Sequence, residues 1–110
     1  MVERRVIAMI ERLDFDEIDE NYFLILAETQ YYVVLQSRST GHYWHLLERI
    51  ANGHRTFQIS HRHNPTDSYH LQTNKPSIRA CCQYIMDHDA YHTEKVKKQK
   101  ERRLRRLGIM

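Results

Sequence analysis

The fold is decided by residues 43–61, which read YWHLLERIANGHRTFQISH. Aromatic and β-branched residues gather here in two short runs, at 43–50 and 56–61, as is typical of β-strands. Between the runs stands Asn52-Gly53, a pair that tolerates the positive φ angles required at both positions of a two-residue type I′ turn. The stretch therefore predicts a β-hairpin.

Neighbouring runs extend this hairpin into a sheet. Residues 31–37 and 69–72 have strand-like composition, and turn residues at 39–41 and 64–67 connect them to the hairpin. Because the runs follow one another directly, we expect an antiparallel meander of three to four strands. Residues 23–27 are ambiguous between helix and strand.

The pairing of the last hairpin can be argued from burial. A three-residue loop that pairs Asn64 with Ser68 puts Tyr69 and Leu71 on the apolar face of the sheet. A two-residue loop at 65–66 would split the apolar side chains between both faces. We therefore predict the three-residue loop, since a shift of one residue moves every side chain of a strand to the other face.

Helical spacing predicts an element at each end of the sheet. Near the N-terminus, apolar residues recur every three or four positions, which indicates a short amphipathic helix. These residues are Val2, Val6, Met9, Ile10 and Leu13. After the sheet, Pro76 and Ser77 favour a helix start, and Gly108 favours its end. Its apolar stripe comprises Ile78, Cys81, Cys82, Ile85 and Met86, and it suits packing on one sheet face. The predicted fold class is α+β.

Charge divides the chain into two parts. Residues 93–110 contain eight Lys or Arg and two Glu, a net charge of +6, whereas residues 1–92 contain nine basic and twelve acidic residues, a net charge of −3. We therefore predict a single globular α+β domain at 1–92 and a basic helical extension at 93–110. The cations of the extension are Lys95, Lys97, Lys98, Lys100, Arg102, Arg103, Arg105 and Arg106.

These eight cations are the main indication of function. Such a density of positive charge attracts phosphate groups through Coulomb attraction and counterion release. The sequence thus favours a non-enzymatic binding module that engages nucleic acid or a nucleoprotein through the basic helix. A solvated tail and a contact with an acidic protein surface are the alternative interpretations of the charge. The alternative function is a small protein inhibitor or adaptor of a host nuclease system, of the mobile-element type to which anti-CRISPR proteins belong.

Eight histidines raise the question of a metal site. His88 and His92 stand four residues apart on the predicted last helix, a spacing that can hold one zinc ion. No compelling third ligand follows, and Asp89 stands where the familiar catalytic motif has Glu. We therefore predict no metal site and no cofactor, with zinc at His88 and His92 as the minor alternative. A second cluster would form only with the two-residue loop and would comprise His61, His63 and His70.

Two further groups of residues are assigned to the core. Cys81 and Cys82 lie in the apolar helical stripe, where free cysteines behave as small hydrophobes. Alternation along the strand turns either Tyr43 or Trp44 inward, and large aromatic side chains dominate protein cores. Neither pair is therefore expected to act on a substrate or to stack on bases.

Other classes of protein are not indicated by the sequence. The three glycines, Gly41, Gly53 and Gly108, are isolated and form no phosphate-binding loop. No run of about 18 apolar residues is present, so no membrane span is predicted. Two adjacent cysteines cannot form a disulfide framework, and a cytoplasmic location is therefore expected. The oligomeric state is left open.

Overall fold

The structure, a computed structural model, describes residues 17–108 and contains five strands and one long helix in that range. The strands pair antiparallel in the order β1-β2-β3-β4-β5. The elements are β1 Phe23–Glu28, β2 Tyr32–Ser37, β3 Tyr43–Ala51, β4 His54–Arg62, β5 His70–Lys75 and helix α1 Ile78–Arg106. The predicted α+β class, the antiparallel meander and the long C-terminal helix are confirmed. The helix predicted at residues 2–13 lies outside the described residues.

The sheet has five strands and not three to four, because the ambiguous segment near residue 23 forms edge strand β1. Phe23 is fully buried and Ile25 packs against the core, so alternate side chains of β1 face inward. Leu24 and Leu26, which are 40% and 44% exposed, give the segment its misleading continuous apolar run. An edge strand with apolar residues on both faces carries no clear alternation from which its type can be read.

The central β3–β4 hairpin turns at Asn52 and Gly53, whose φ angles are 52° and 76°. Positive φ at both positions is what a type I′ turn requires, and this prediction is confirmed. The turn fixes an uninterrupted register from Ala51 opposite His54 to Tyr43 opposite Arg62. Every inward side chain of β3 therefore has a determined partner on β4.

The β4–β5 hairpin differs from the prediction. Ser60 pairs with Leu71 and Ile59 pairs with Thr73, so Gln72 is an extra residue in a β-bulge. Close to the loop the register is the one that burial argued against, and beyond the bulge it is the predicted one. Leu71 consequently lies on the outer face and is 64% exposed. The expected burial of Leu71 therefore did not decide the register. A bulge allows one hairpin to have one register near its loop and another farther from it.

Helix α1 covers the inner face of the sheet. Ser77 caps its start, where the side-chain oxygen accepts a hydrogen bond from the Ala80 backbone N–H at 3.1 Å. Gly108, with φ of 76°, follows its end as predicted. The buried apolar residues form one core between α1 and the sheet. They are Ile18, Phe23, Val33, Leu35, Trp44, Leu46, Phe57, Ile59, Ile78, Cys81, Cys82 and Ile85.

Burial along α1 stops halfway. Asp89 is the last buried residue of the helix, and the positions after it are exposed or half-buried. The helix has 29 residues and is about 43 Å long, so roughly its last 25 Å follows the final buried position. In the described part of the chain, no helix combines the length and the apolar character needed to cross a membrane.

The packing of α1 on the sheet can be tested at Ile85, which has no exposed surface. Ile85→Asp places an unpaired carboxylate in the core and should lower the free energy of unfolding by about 3 kcal/mol or more. Gln83→Asp is the matched control, since Gln83 is exposed and its amide only donates to the Asp87 carboxylate. The control should cost less than about 1 kcal/mol. Urea unfolding of both variants measures the difference, and equal stability would contradict this packing.

Candidate functional site

All eight predicted cations lie on the second half of α1, and all are exposed. The helical period of 3.6 residues places five of them within an arc of about 100°. This basic face consists of Lys95, Lys98, Arg102, Arg105 and Arg106. Tyr91, which is 71% exposed, lies on the same side one turn closer to the sheet. Lys97, Lys100 and Arg103 point in other directions.

The charged residues of this segment also stabilise the helix itself. Arg103, Arg105 and Arg106 occupy the last turn, where positive charge interacts favourably with the partial negative charge of the helix C-terminus. Glu94 and Glu101 stand four residues before Lys98 and Arg105, a spacing that stabilises a helix by a few tenths of a kcal/mol. These local effects explain why a helix with few buried residues persists to Arg106, and they leave the cations accessible.

A second group of charged or titratable side chains lies where α1 leaves the sheet. His42 precedes β3 and His63 follows β4, while His61 lies in β4 opposite Trp44. Each of the three histidines offers a ring nitrogen, and these nitrogens lie within 4.8 Å of one another. The closest pair, His42 Nδ1 and His61 Nε2, is 3.3 Å apart. The rings of His42 and His63 are stacked, with centroids 4.1 Å apart and planes 6° from parallel.

Helix α1 adds two imidazoles to these three. The ring of His92 lies 4.9 Å from that of His42 and 5.9 Å from that of His63. The ring of His88 lies 5.1 Å from that of His61, and its Nδ1 is buried without a hydrogen-bond partner. We call these five residues, His42, His61, His63, His88 and His92, the histidine cluster.

The interior members of the cluster favour the neutral form. Burial, followed by the charges of the neighbouring imidazoles and first of all His88, lowers the pKa of His61 to about 4. Burial likewise lowers the pKa of His42 and of His88, while the charge of Asp89 acts in the opposite sense on both. At neutral pH these rings therefore carry free lone pairs and no charge.

Asp89 connects the helix to the start of the sheet beside this cluster. Its side chain is 2% exposed, and Oδ2 accepts a hydrogen bond from the Tyr22 hydroxyl at 2.6 Å. Oδ1 accepts a longer one from the Thr40 hydroxyl at 3.4 Å. Burial, together with the bond to Asp89, raises the pKa of Tyr22 to about 12. The hydroxyl therefore stays protonated as a donor, which a buried carboxylate needs.

The assignment of the cysteines and of one hairpin aromatic residue to the core agrees with the structure. Cys81 and Cys82 are buried, and burial raises the pKa of each thiol to about 12, which leaves no reactive thiolate at neutral pH. Trp44 is fully buried, and its ring N–H donates to the Ser37 hydroxyl at 3.1 Å. Tyr43 lies on the outer face beneath the Arg62 guanidinium, 5.4 Å from it.

The absence of a metal site stays a prediction. One argument for it was that no second histidine cluster would form, and the structure does contain such a cluster. The ring nitrogens of His61 and His63 gather with that of His42, whereas His70, which pairs with His61 across β4 and β5, is exposed and is not part of this group. The sequence contained a signal for this arrangement. Asn52-Gly53 as a two-residue turn sets His61 opposite Trp44, and the same count continued past the strand ends sets His63 opposite His42.

The chain was compared with protein-family models, with curated proteins and with solved structures, and none of the three comparisons found a match.

The contact between Tyr22 and Asp89 can be tested by removing one hydroxyl. Tyr22→Phe leaves a buried carboxylate without its shortest hydrogen bond and should lower the free energy of unfolding by about 1–3 kcal/mol. Tyr91→Phe removes the same group from an exposed ring and should change stability by less than about 0.5 kcal/mol. Thermal and urea unfolding compare the two variants. A Tyr22→Phe protein as stable as the Tyr91→Phe control would show that the contact contributes nothing.

Proposed function

We propose that the chain is a non-enzymatic binding module that engages nucleic acid, alone or within a nucleoprotein, through the basic face of α1. The observation that supports this proposal best is the position of five cations on one side of a helical segment that follows the last buried residue. The sheet and the first half of the helix then act as the scaffold that holds this segment.

Electrostatics supports a phosphate-bearing partner. From Lys95 to Arg106 the basic face extends about 16 Å along the helix axis, and double-stranded DNA carries one charge per roughly 1.7 Å of its own axis. Several cations can therefore approach phosphates together, and each contact releases condensed counterions. Neutralising about four to six phosphates gives a log–log salt slope of roughly −3 to −5.

The composition of the face favours binding without sequence readout. Phosphate contacts position a protein but carry no sequence information, which is read by side chains that hydrogen-bond to base edges. Apart from Tyr91, the basic face offers only Lys and Arg, with no Asn or Gln on the same arc. Gln99 borders this arc beside Lys95 and Arg102, so a single amide lies close to the five cations. We therefore expect affinity to depend on salt and charge, and to change little with base sequence.

A protein partner with an acidic surface is the competing candidate, and with it the inhibitor or adaptor role. The same cations would pair with carboxylates, and the binding would also weaken with salt. Nucleic acid is favoured here because the charge is spread over several helical turns with no large apolar side chain on that face except Tyr91. Stable protein interfaces centre on buried aromatic and apolar anchors, which this face lacks.

The proposal is tested with two triple variants that remove equal charge. Lys98→Gln, Arg102→Gln and Arg105→Gln neutralise the basic face, whereas Lys97→Gln, Lys100→Gln and Arg103→Gln neutralise cations outside it. Salt titrations of duplex and single-stranded binding measure both. The first triple should reduce the magnitude of the salt slope by about 2 to 3, and the second by less. Equal losses would show that total charge matters and not the face.

Truncation after Val96 tests whether the extension binds at all. It removes seven of the eight cations and none of the buried core residues, so the shortened protein should keep its fold and lose nucleic-acid binding. Circular dichroism confirms the fold, and the same salt titration measures affinity. Equal affinity of the full and shortened chains would overturn the proposal and favour the inhibitor or adaptor role.

A further inference from the structure

We propose that His42, His61 and His63 form a binding site for a zinc ion at the point where α1 leaves the sheet. This inference does not depend on the proposed function, because it involves none of the cations of the basic face. It rests on three imidazole nitrogens that the fold brings within 4.8 Å of one another.

The spacing of the nitrogens fits tetrahedral zinc. With Zn–N bonds of about 2.0–2.1 Å, two ligands of a tetrahedral ion lie about 3.3–3.4 Å apart. His42 Nδ1 and His61 Nε2 are 3.3 Å apart, and one ring nitrogen from each of His42, His61 and His63 lies within 4.8 Å of the other two. His63 is exposed, so its ring can rotate out of the stack on His42 and direct a nitrogen lone pair at the ion, which completes a three-nitrogen set. Two of the three residues are already held in place by burial.

Helix α1 places a further imidazole close enough to act as a fourth ligand. The ring of His92 lies 4.9 Å from that of His42 on the side of α1, so it can add a fourth imidazole. His88 stands one turn earlier, with a buried Nδ1 that has no hydrogen-bond partner. A buried polar atom without a partner is uncommon in proteins and calls for an explanation such as an ion. The pair His88 and His92 also has the i, i+4 spacing found in helical zinc sites.

A buried carboxylate beside the histidine cluster favours a bound cation. Zinc binds the neutral imidazole ring through a nitrogen lone pair. Asp89, which is buried, places a carboxylate near His42 and His88. A divalent ion would compensate that charge while taking up the lone pairs of the rings. Imidazole-only ligation suits zinc better than calcium or magnesium, which prefer oxygen ligands.

The competing explanation is a hydrogen bond between neutral His42 and His61 rings, since 3.3 Å also allows an N–H···N contact. Such a bond accounts for one pair of nitrogens. It leaves the stacked position of His63, the proximity of His92 and the unpartnered Nδ1 of His88 without a role. A zinc ion with four ligands gives His42, His61, His63 and His92 a common role.

The experiment uses the untagged full chain, stripped of metal with a chelator and titrated with zinc by calorimetry. One Zn²⁺ per chain is expected, together with a rise in the unfolding temperature that grows with free zinc. Binding of Co²⁺ should give the intense visible bands of tetrahedral coordination. Absence of binding at micromolar free zinc would overturn the proposal.

Matched alanine variants identify the ligands. His63→Ala should weaken zinc binding by more than about 100-fold, because even the hydrogen-bonding partners of metal ligands contribute about 10–100-fold. His63 is exposed, so this variant should fold as the parent chain does. His42→Ala, checked for folding by circular dichroism, should show the same loss. The control is His54→Ala, since His54 is exposed at the far end of β4. Unchanged affinity in His63→Ala, or equal losses in His63→Ala and the control, would show that any bound zinc sits elsewhere.

Discussion

The two-residue turn at Asn52-Gly53 is the constraint on which the rest of the structure depends. Its positive φ angles fix the register of β3 against β4, and that register decides which side chains share the inner face of the sheet. Trp44 and Phe57 are fully or almost fully buried on this face, where α1 packs. A slip of one residue would turn them outward and would also separate His42 from His63. Core packing and the histidine cluster thus follow from one local choice of backbone conformation.

Prediction from sequence succeeded where a local signal decides the structure. The type I′ pair, the Ser77 cap and the Gly108 stop each act within a few residues, and each element boundary they govern was predicted closely. The predicted β4–β5 register holds only from Phe57 to Ile59, because a bulge at Gln72, which has no strong sequence signature, changes it nearer the loop. The predicted number of strands was too low because β1 was not recognised. An edge strand with apolar residues on both faces lacks the alternation of apolar and polar residues that identifies a strand.

The histidine cluster shows a different limit. The turn register alone places His42 beside His63, and the i, i+4 spacing alone pairs His88 with His92. Neither signal predicts that these two pairs of histidines lie next to each other. Their proximity depends on where α1 crosses the sheet and on the rotation of the helix about its axis. That rotation is set by the burial of Cys81, Ile85 and Asp89 against residues distant in sequence. A site assembled from two elements therefore became visible only with the tertiary structure, although each half could be read from the sequence.

The same rotation governs the basic face. Because α1 is one continuous helix, the residues that pack on the sheet fix the direction of every later side chain. Val96 and Leu107 continue the line of Ile78 and Ile85 along the helix, whereas the basic face lies to one side of that line. Its cations thus point along a defined flank of the domain and not back over the sheet. Contacts where α1 leaves the sheet, above all the hydrogen bond from Tyr22 to Asp89, therefore help to fix the orientation of the basic face several turns away. Whatever strengthens this junction holds the basic face more firmly in one direction, and the histidine cluster lies at that junction.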